Sequence, residues 1–223
     1  MAGFRYVIFD MDGLILDSER MYTVAWRDVA KKWGIPLTET MIRETIGMNI
    51  TSSRAYFLEK FGPDFPYDPF HDEVRERTYA LIEEENVPLK PYAEEALRTL
   101  RDAGFTLALA TGTREFVSRK YLDYHGLMPY FTRSCFGEEV KRGKPAPDAF
   151  LQTAEKLGAD PIDCAVLEDS TNGILAAKAA GMTALWVPDL VGPEERPDIA
   201  ARADGIFESL RQAVEWIMKE SGK

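Results

Sequence analysis

Cysteine is scarce in this chain, long apolar runs are absent, and positive charge is outnumbered. Only two cysteines occur among 223 residues, Cys135 and Cys164, each inside an apolar strand-like run. A disulfide framework is therefore not expected, and inert buried thiols in a reducing cytoplasm are. No apolar stretch reaches the ~18 residues of a membrane span, and the opening MAGFRYVIFD has no continuous apolar core of a signal peptide before its Asp. Twenty-seven Lys and Arg face 37 Asp and Glu, a formal net charge of −10. That balance argues against a nucleic-acid or anionic-membrane surface, because phosphate backbones are held by clustered cations. It does not forbid a small phosphate site. Internal repeats and low-complexity tracts are also missing. The expectation is a soluble cytoplasmic protein with no nucleic-acid or membrane partner. The sequence leaves the oligomeric state open, with a monomer as the default.

What is present is an alternation. At 45% hydrophobic content the chain is long enough for a core domain carrying a smaller insert. Short apolar runs at 6–9, 106–110, 164–167 and 184–187 are separated by helical patterns at 115–125, 146–157 and 173–180. This is the strand–helix order of a parallel sheet, an α/β, Rossmann-like three-layer core. The order breaks once. Between Ser18 and Val87 the pattern is helical throughout (21–33, 39–46, 51–61 and 71–85), which predicts a small all-helical domain inserted after the first strand. The expected division is 1–17 with 88–223 for the core and 18–87 for the insert, with the Pro88 to Pro91 stretch as the returning hinge. Trp26 and Trp33 lie seven residues apart on one helix face and read as the insert's core.

The polar residues that end the strands form a set. Side chains at the C-terminal ends of parallel strands converge on one crevice, where open α/β sheets bind ligands. The first strand delivers Asp10 and Asp12. LALAT delivers Thr111, with Gly112 and Thr113 behind it, and CAVLED delivers Glu168 and Asp169. Lys144 comes from RGKPAPDAF, on a loop before a helix. So many carboxylates in one crevice repel strongly unless a divalent cation joins them, and a hard, oxygen-seeking ion such as Mg²⁺ answers that need.

Taken singly, each residue has a structural alternative. An Asp at a strand end serves equally well as a turn former. Thr111 alone reads more readily as a cap for the next helix, and Glu168 with Asp169 can cap the helix that follows them. A lone Lys is usually a solvated charge. Two Asp flanking Met11 and followed by Gly13 are harder to dismiss. They are not a calcium loop of the EF-hand type, because Leu14 stands at the fifth loop position, where an acidic residue is required. GEEVKRGKP is not a nucleotide phosphate loop, since five residues rather than four separate its glycines and Pro145 follows the Lys.

Together, DMDGLILDS, LALATGT, KPAPDAF and VLEDSTNG, in this order, resemble the four motifs of the haloacid-dehalogenase-like hydrolases, in the branch with a helical cap after the first strand. The resemblance covers nearly the whole chain and runs towards the β-phosphoglucomutase-like group and the small sugar or nucleoside phosphatases, among them pseudouridine-phosphate phosphatases. It implies an Mg²⁺-dependent phosphomonoester phosphatase acting on a small phosphorylated metabolite. By the same resemblance Asp10 is the nucleophile that forms an aspartyl-phosphate. Asp12 is the acid and base, protonating the leaving oxygen and later activating water. Mg²⁺ takes the Asp10 carboxylate, the Asp12 backbone carbonyl and the Asp169 carboxylate, with Glu168 as a direct or indirect helper. Thr111, the Gly112 backbone N–H and Lys144 hold the phosphoryl oxygens.

Three rivals compete with this reading. A phospho-acceptor receiver domain gathers similar residues, but in a shorter domain without a helical insert. Dehalogenases lack a second Asp. A phosphomutase keeps the same core and adds cap cations for a second phosphate, where this chain offers Tyr22, Ile46 and Ile50. Arg43 and Arg54 are other basic residues of the insert. The phosphatase is therefore the expectation and the mutase its alternative. For substrate binding the nominations beyond the core are Arg114, Tyr22 and Asn49 in the Gly47–Asn49 loop.

Overall fold

A computed structural model describes residues 4–45, 50–84 and 87–223. In chain order the elements are β1 (Tyr6–Phe9), α1 (Glu19–Trp33), α2 (Glu39–Thr45), α3 (Ile50–Phe61), α4 (Tyr67–Glu84), α5 (Ala93–Asp102), β2 (Thr106–Ala110), α6 (Glu115–Tyr124) and β3 (Arg133–Cys135). They continue with α7 (Asp148–Leu157), β4 (Cys164–Glu168), α8 (Thr171–Ala179), β5 (Thr183–Trp186), α9 (Pro197–Ala200), β6 (Gly205–Ile206) and α10 (Leu210–Glu220). The six strands form one sheet in the order β3-β2-β1-β4-β5-β6, every pair parallel.

The strands are apolar along their length because helices cover both faces of a parallel sheet. Val7, Ile8 and Phe9 are wholly buried. Side chains alternate between faces. Ile8, Ala108, Val166 and Ala184 pack with Phe150 of α7 and Ile174 of α8 in one cluster. Val7, Phe9 and Leu107 point the other way, and α5 and α10, tied by Arg211 to Glu95 at 2.9 Å, are neighbours in a further layer. The sheet is thus a Rossmann-like α/β layer with β1 near its centre. Phe9 lies level with both Leu109 and Leu167. Asp10, Ala110 and Glu168 therefore leave the sheet side by side.

The chain folds as two compact units, Met1–Asp17 with Leu89–Lys223, and Ser18–Pro88. Pro88 goes with the helices, one residue past the division expected at 87/88. Leu89 stays with the sheet unit because it bridges to Leu16, and the next N–H, that of Lys90, donates to Ile15 O at 2.8 Å. Unit Ser18–Pro88 holds α1 to α4. Its core is aromatic: Trp26 stacks on Phe57 at 5.1 Å between centroids and meets Phe70 at 5.5 Å, and Trp33 meets Phe70 edge-on at 5.6 Å.

Candidate active site

The turn after β1 is built by its backbone. Asp10 N–H donates to Leu167 O at 3.0 Å, which continues the β1–β4 ladder one residue past the strand. Gly13 N–H then donates to Leu16 O at 2.8 Å and Leu16 N–H to Met11 O at 3.0 Å, with Gly13 at a φ of 75° that a side chain would strain. The turn holds Asp10 buried and Asp12 half-buried at the same strand end.

Lys144 joins this turn to β4. Its Nζ donates to Asp10 Oδ1, to Glu168 Oε1 at 2.5 Å and to Ala110 O at 3.2 Å, and lies 4.9 Å from the Phe150 ring centre. Glu168 has no exposed surface. Its Oε2 accepts from Ser170 N–H at 3.0 Å and Ser170 Oγ at 2.9 Å, so both carboxylate oxygens have protein donors. Gly173 makes room for it: a Cβ there would fall 1.8 Å from Glu168 Cδ. Asp169 is fixed through its backbone, whose carbonyl accepts from Trp186 Nε1 at 2.7 Å.

Burial pushes the Asp10 carboxyl well above its ordinary range; Lys144 opposes that, while Glu168 and Asp12 add to it. For Lys144, burial works against the charge but is outweighed by Asp10 and Glu168, and the ammonium is held above its ordinary value. One ammonium lies between the two carboxylates of Asp10 and Glu168 here. Ligand oxygens of Asp10, Glu168 and Asp169 lie within 4.8 Å of one another, all three residues buried. An all-oxygen, anionic set of this kind suits a hard divalent cation and could hold one.

Asp12 sits under hydroxyls. Its Oδ2 accepts from Thr113 Oγ1 at 2.7 Å and from Thr111 Oγ1 at 3.2 Å, and Thr111 Oγ1 in turn accepts from Thr113 N–H at 3.0 Å. The Thr111 proton therefore points at Asp12. Of the nominated residues, Asp10, Asp12, Thr111, Lys144, Glu168 and Asp169 come together, with Gly112 exposed beside them. Arg114 is the exposed residue before α6, and among the described residues its side chain makes no hydrogen bond or ion pair. Tyr22 lies on α1, 38% exposed, in the helical unit. Residues 46–49, Asn49 and Ile46 among them, lie outside the described residues. Two contributors receive no role from the sequence alone. Thr113 is detectable there only as the second hydroxyl of TGT, and Ser170 as the residue that both caps α8, accepting from Gly173 N–H at 3.0 Å, and holds Glu168.

With this geometry in hand, the comparison with known proteins is direct. The family model of haloacid dehalogenase-like hydrolases matches residues 4–181. The chain belongs to the haloacid dehalogenase-like hydrolases. Among its relatives is a phosphorylated carbohydrates phosphatase of Thermotoga maritima, 34% identical over 81% of this chain and 83% of the relative. Hexitol phosphatase B of Escherichia coli is 34% identical over 86% of this chain and 85% of its own length. Among solved structures, CbbY from Rhodobacter sphaeroides in complex with phosphate is 26% identical, with a TM-score of 0.73 over 93% of this chain and 95% of that one. This hydrolase is a phosphatase, a phosphoric monoester hydrolase. Among the described residues no helix is long and apolar enough to cross a membrane.

Proposed function

We propose that this phosphatase is Mg²⁺-dependent and hydrolyses the phosphomonoester of a small sugar phosphate or nucleoside phosphate through an aspartyl-phosphate at Asp10. The observation that carries the reading is the Lys144 ammonium between the Asp10 and Glu168 carboxylates, with Asp12 beside them under two threonine hydroxyls. The named activities of the relatives, on phosphorylated carbohydrates and hexitol phosphates, support the substrate class.

The Asp10 and Asp169 carboxylates and the Asp12 backbone carbonyl would hold the cation, which when bound neutralises charge on the phosphoryl oxygens and keeps Asp10 ionised. Everything else falls to the chain. An Asp10 carboxylate oxygen attacks phosphorus, and the bond from phosphorus to the leaving oxygen breaks as Asp12 gives that oxygen its proton. Asp12, now a base oriented by Thr113, takes a proton from water. The water oxygen attacks phosphorus, the bond to Asp10 breaks, and inorganic phosphate leaves. Lys144 and the Gly112 N–H hold the phosphoryl oxygens, and Thr111 joins them when its hydroxyl turns from Asp12. Glu168, saturated by Lys144 and Ser170, acts chiefly by holding the ammonium in place.

The test is phosphate release from a panel of phosphomonoesters with Mg²⁺, run beside β-glucose 1-phosphate with catalytic glucose 1,6-bisphosphate. Phosphate released from sugar or nucleoside monophosphates without isomerisation is expected. Rapid formation of glucose 6-phosphate with little free phosphate would replace the phosphatase reading by a mutase.

A further inference from the structure

The segment after β3 presses on the turn after β2. Thr111 N–H donates to Cys135 O at 3.1 Å and Gly137 N–H to Thr113 O at 3.0 Å, so both ends of Thr111–Gly112–Thr113 are anchored to the same neighbour. Between those anchors the backbones touch. A Cβ on Gly137 would fall 2.0 Å from Gly112 O and 2.7 Å from its carbonyl carbon, a distance no side chain survives. The residue that follows adds a second grip. Both carboxylate oxygens of Glu138 accept from Glu115 N–H, at 3.0 and 3.1 Å.

That amide belongs to the first turn of α6, where the helix has no carbonyl of its own to offer. Arg114, in the capping position, makes no side-chain hydrogen bond there. A carboxylate from 23 residues away takes the place of a cap, and the helix end favours its charge. Glu139 locks the segment from behind, accepting from Phe136 N–H at 2.9 Å and from Lys156 Nζ at 2.5 Å.

We propose that Gly137 and Glu138 are positioning residues for the phosphoryl-holding turn: they fix the direction of the Gly112 N–H and keep Thr113 against Asp12. The inference rests on the role assigned above to Thr111 and Gly112. Neither residue carries out chemistry. Their effect is to hold a donor that must meet a phosphoryl oxygen within a few tenths of an ångström. A plain helix cap would stabilise α6 and leave anion binding alone, and that difference makes the roles separable.

The experiment compares Glu138→Ala, Glu138→Gln, Gly137→Ala and Thr111→Ala with the wild-type chain, measuring inhibition by inorganic phosphate and by orthovanadate, KM, kcat, the Mg²⁺ half-saturation and the melting temperature. Glu138→Ala should weaken phosphate and vanadate inhibition by about fivefold to tenfold, the value of one ordinary hydrogen bond, with Mg²⁺ half-saturation unchanged. Glu138→Gln, whose amide oxygen still accepts, should recover most of that loss. Gly137→Ala should lose more. If Gly137→Ala fails to fold, Glu138→Ala decides. A lower melting temperature with unchanged phosphate and vanadate inhibition would reduce Glu138 to a helix cap and overturn the inference. If Thr111→Ala also leaves anion inhibition unchanged, the assignment of the turn itself has failed; a loss there with none in Glu138→Ala sinks only the positioning role.

Discussion

Replacing Lys144 by methionine removes one charge and little volume from a buried cluster of carboxylates. The side chains of Lys144, Asp10 and Glu168 are 14%, 8% and 0% exposed, so solvent screens none of them well. Each attraction is worth about 4 kcal/mol at 4 Å and an effective dielectric near 20, and desolvation of the ammonium offsets several of the roughly 8 that two partners provide. Removing one partner of a buried pair costs about 3–5 kcal/mol, because the carboxylates left behind stay buried and now repel. Urea unfolding at pH 7.5 in EDTA should show that loss. The pH is chosen from the shift: the Lys144 value is raised, so its contribution is complete below about 10 and is lost only as pH climbs through the folded value. Saturating Mg²⁺ should return part of the stability, about 2.7 kcal/mol at a hundred times its dissociation constant, since a cation between Asp10 and Asp169 relieves the same repulsion. On the role proposed for Lys144 as a holder of phosphoryl oxygens, turnover should stay at least about 10²-fold down even then, since a cation elsewhere does not supply that donor. A Lys144→Met chain as stable as wild type in EDTA would refute the electrostatic account of this site.

Gly173→Ala would put a methyl group 1.8 Å from Glu168 Cδ; the crowding should cost about 1–3 kcal/mol in urea unfolding and lower kcat as Lys144 loses its support. Trp26→Ala empties the aromatic centre of the helical unit and should destabilise that unit by about 3–5 kcal/mol, read by fragmentation under limited proteolysis within 18–88. His71 is pushed below its ordinary value by burial, with Arg75 adding to the shift. The unfolded chain thus binds the proton more readily, and stability should fall as pH drops from about 6.5 towards the folded value, a slope that His71→Gln should flatten in thermal melts at stepped pH. EDTA should abolish turnover and Mg²⁺ restore it; hydrolysis undiminished after confirmed metal removal would end the metal assignment.

The gathering of the candidate site is legible in the sequence because most of it sits where three apolar strands end, and a strand end fixes the direction of the residue after it. Asp10, Thr111 and Glu168 can be assigned to one crevice from the sequence, and the register sets Phe9 level with Leu109 and Leu167 just before them. Two strands are missing from the expected order of elements, although the run around Cys135 reads as strand-like. Arg133–Cys135 is three residues at a sheet edge and Gly205–Ile206 only two, too short for a period to appear. Helices α5 and α10 are absent from the expected elements, although each carries a clear buried stripe, Ala93, Ala96, Leu97 and Leu100 in one and Leu210, Ala213, Val214 and Ile217 in the other. Contacts across the chain are beyond reach for a different reason. That Gly137 must be glycine depends on a backbone 25 residues earlier, and that Thr113 serves Asp12 depends on a turn 101 residues away. Nothing in the local sequence of either residue carries that information.

The central claim is that Asp10 becomes phosphorylated and is then hydrolysed. It is tested most directly by acid-quenching the enzyme within milliseconds of mixing with a ³²P-labelled phosphomonoester and Mg²⁺, then mapping the label by peptide. A phosphoprotein stable to acid, cleaved by hydroxylamine, located on the peptide containing Asp10 and absent from Asp10→Asn is the predicted result. Asp12→Asn should still take up label, with slow discharge. Steady turnover with no labelled protein at any quench time, together with an Asp10→Asn enzyme that keeps its rate, would contradict the account.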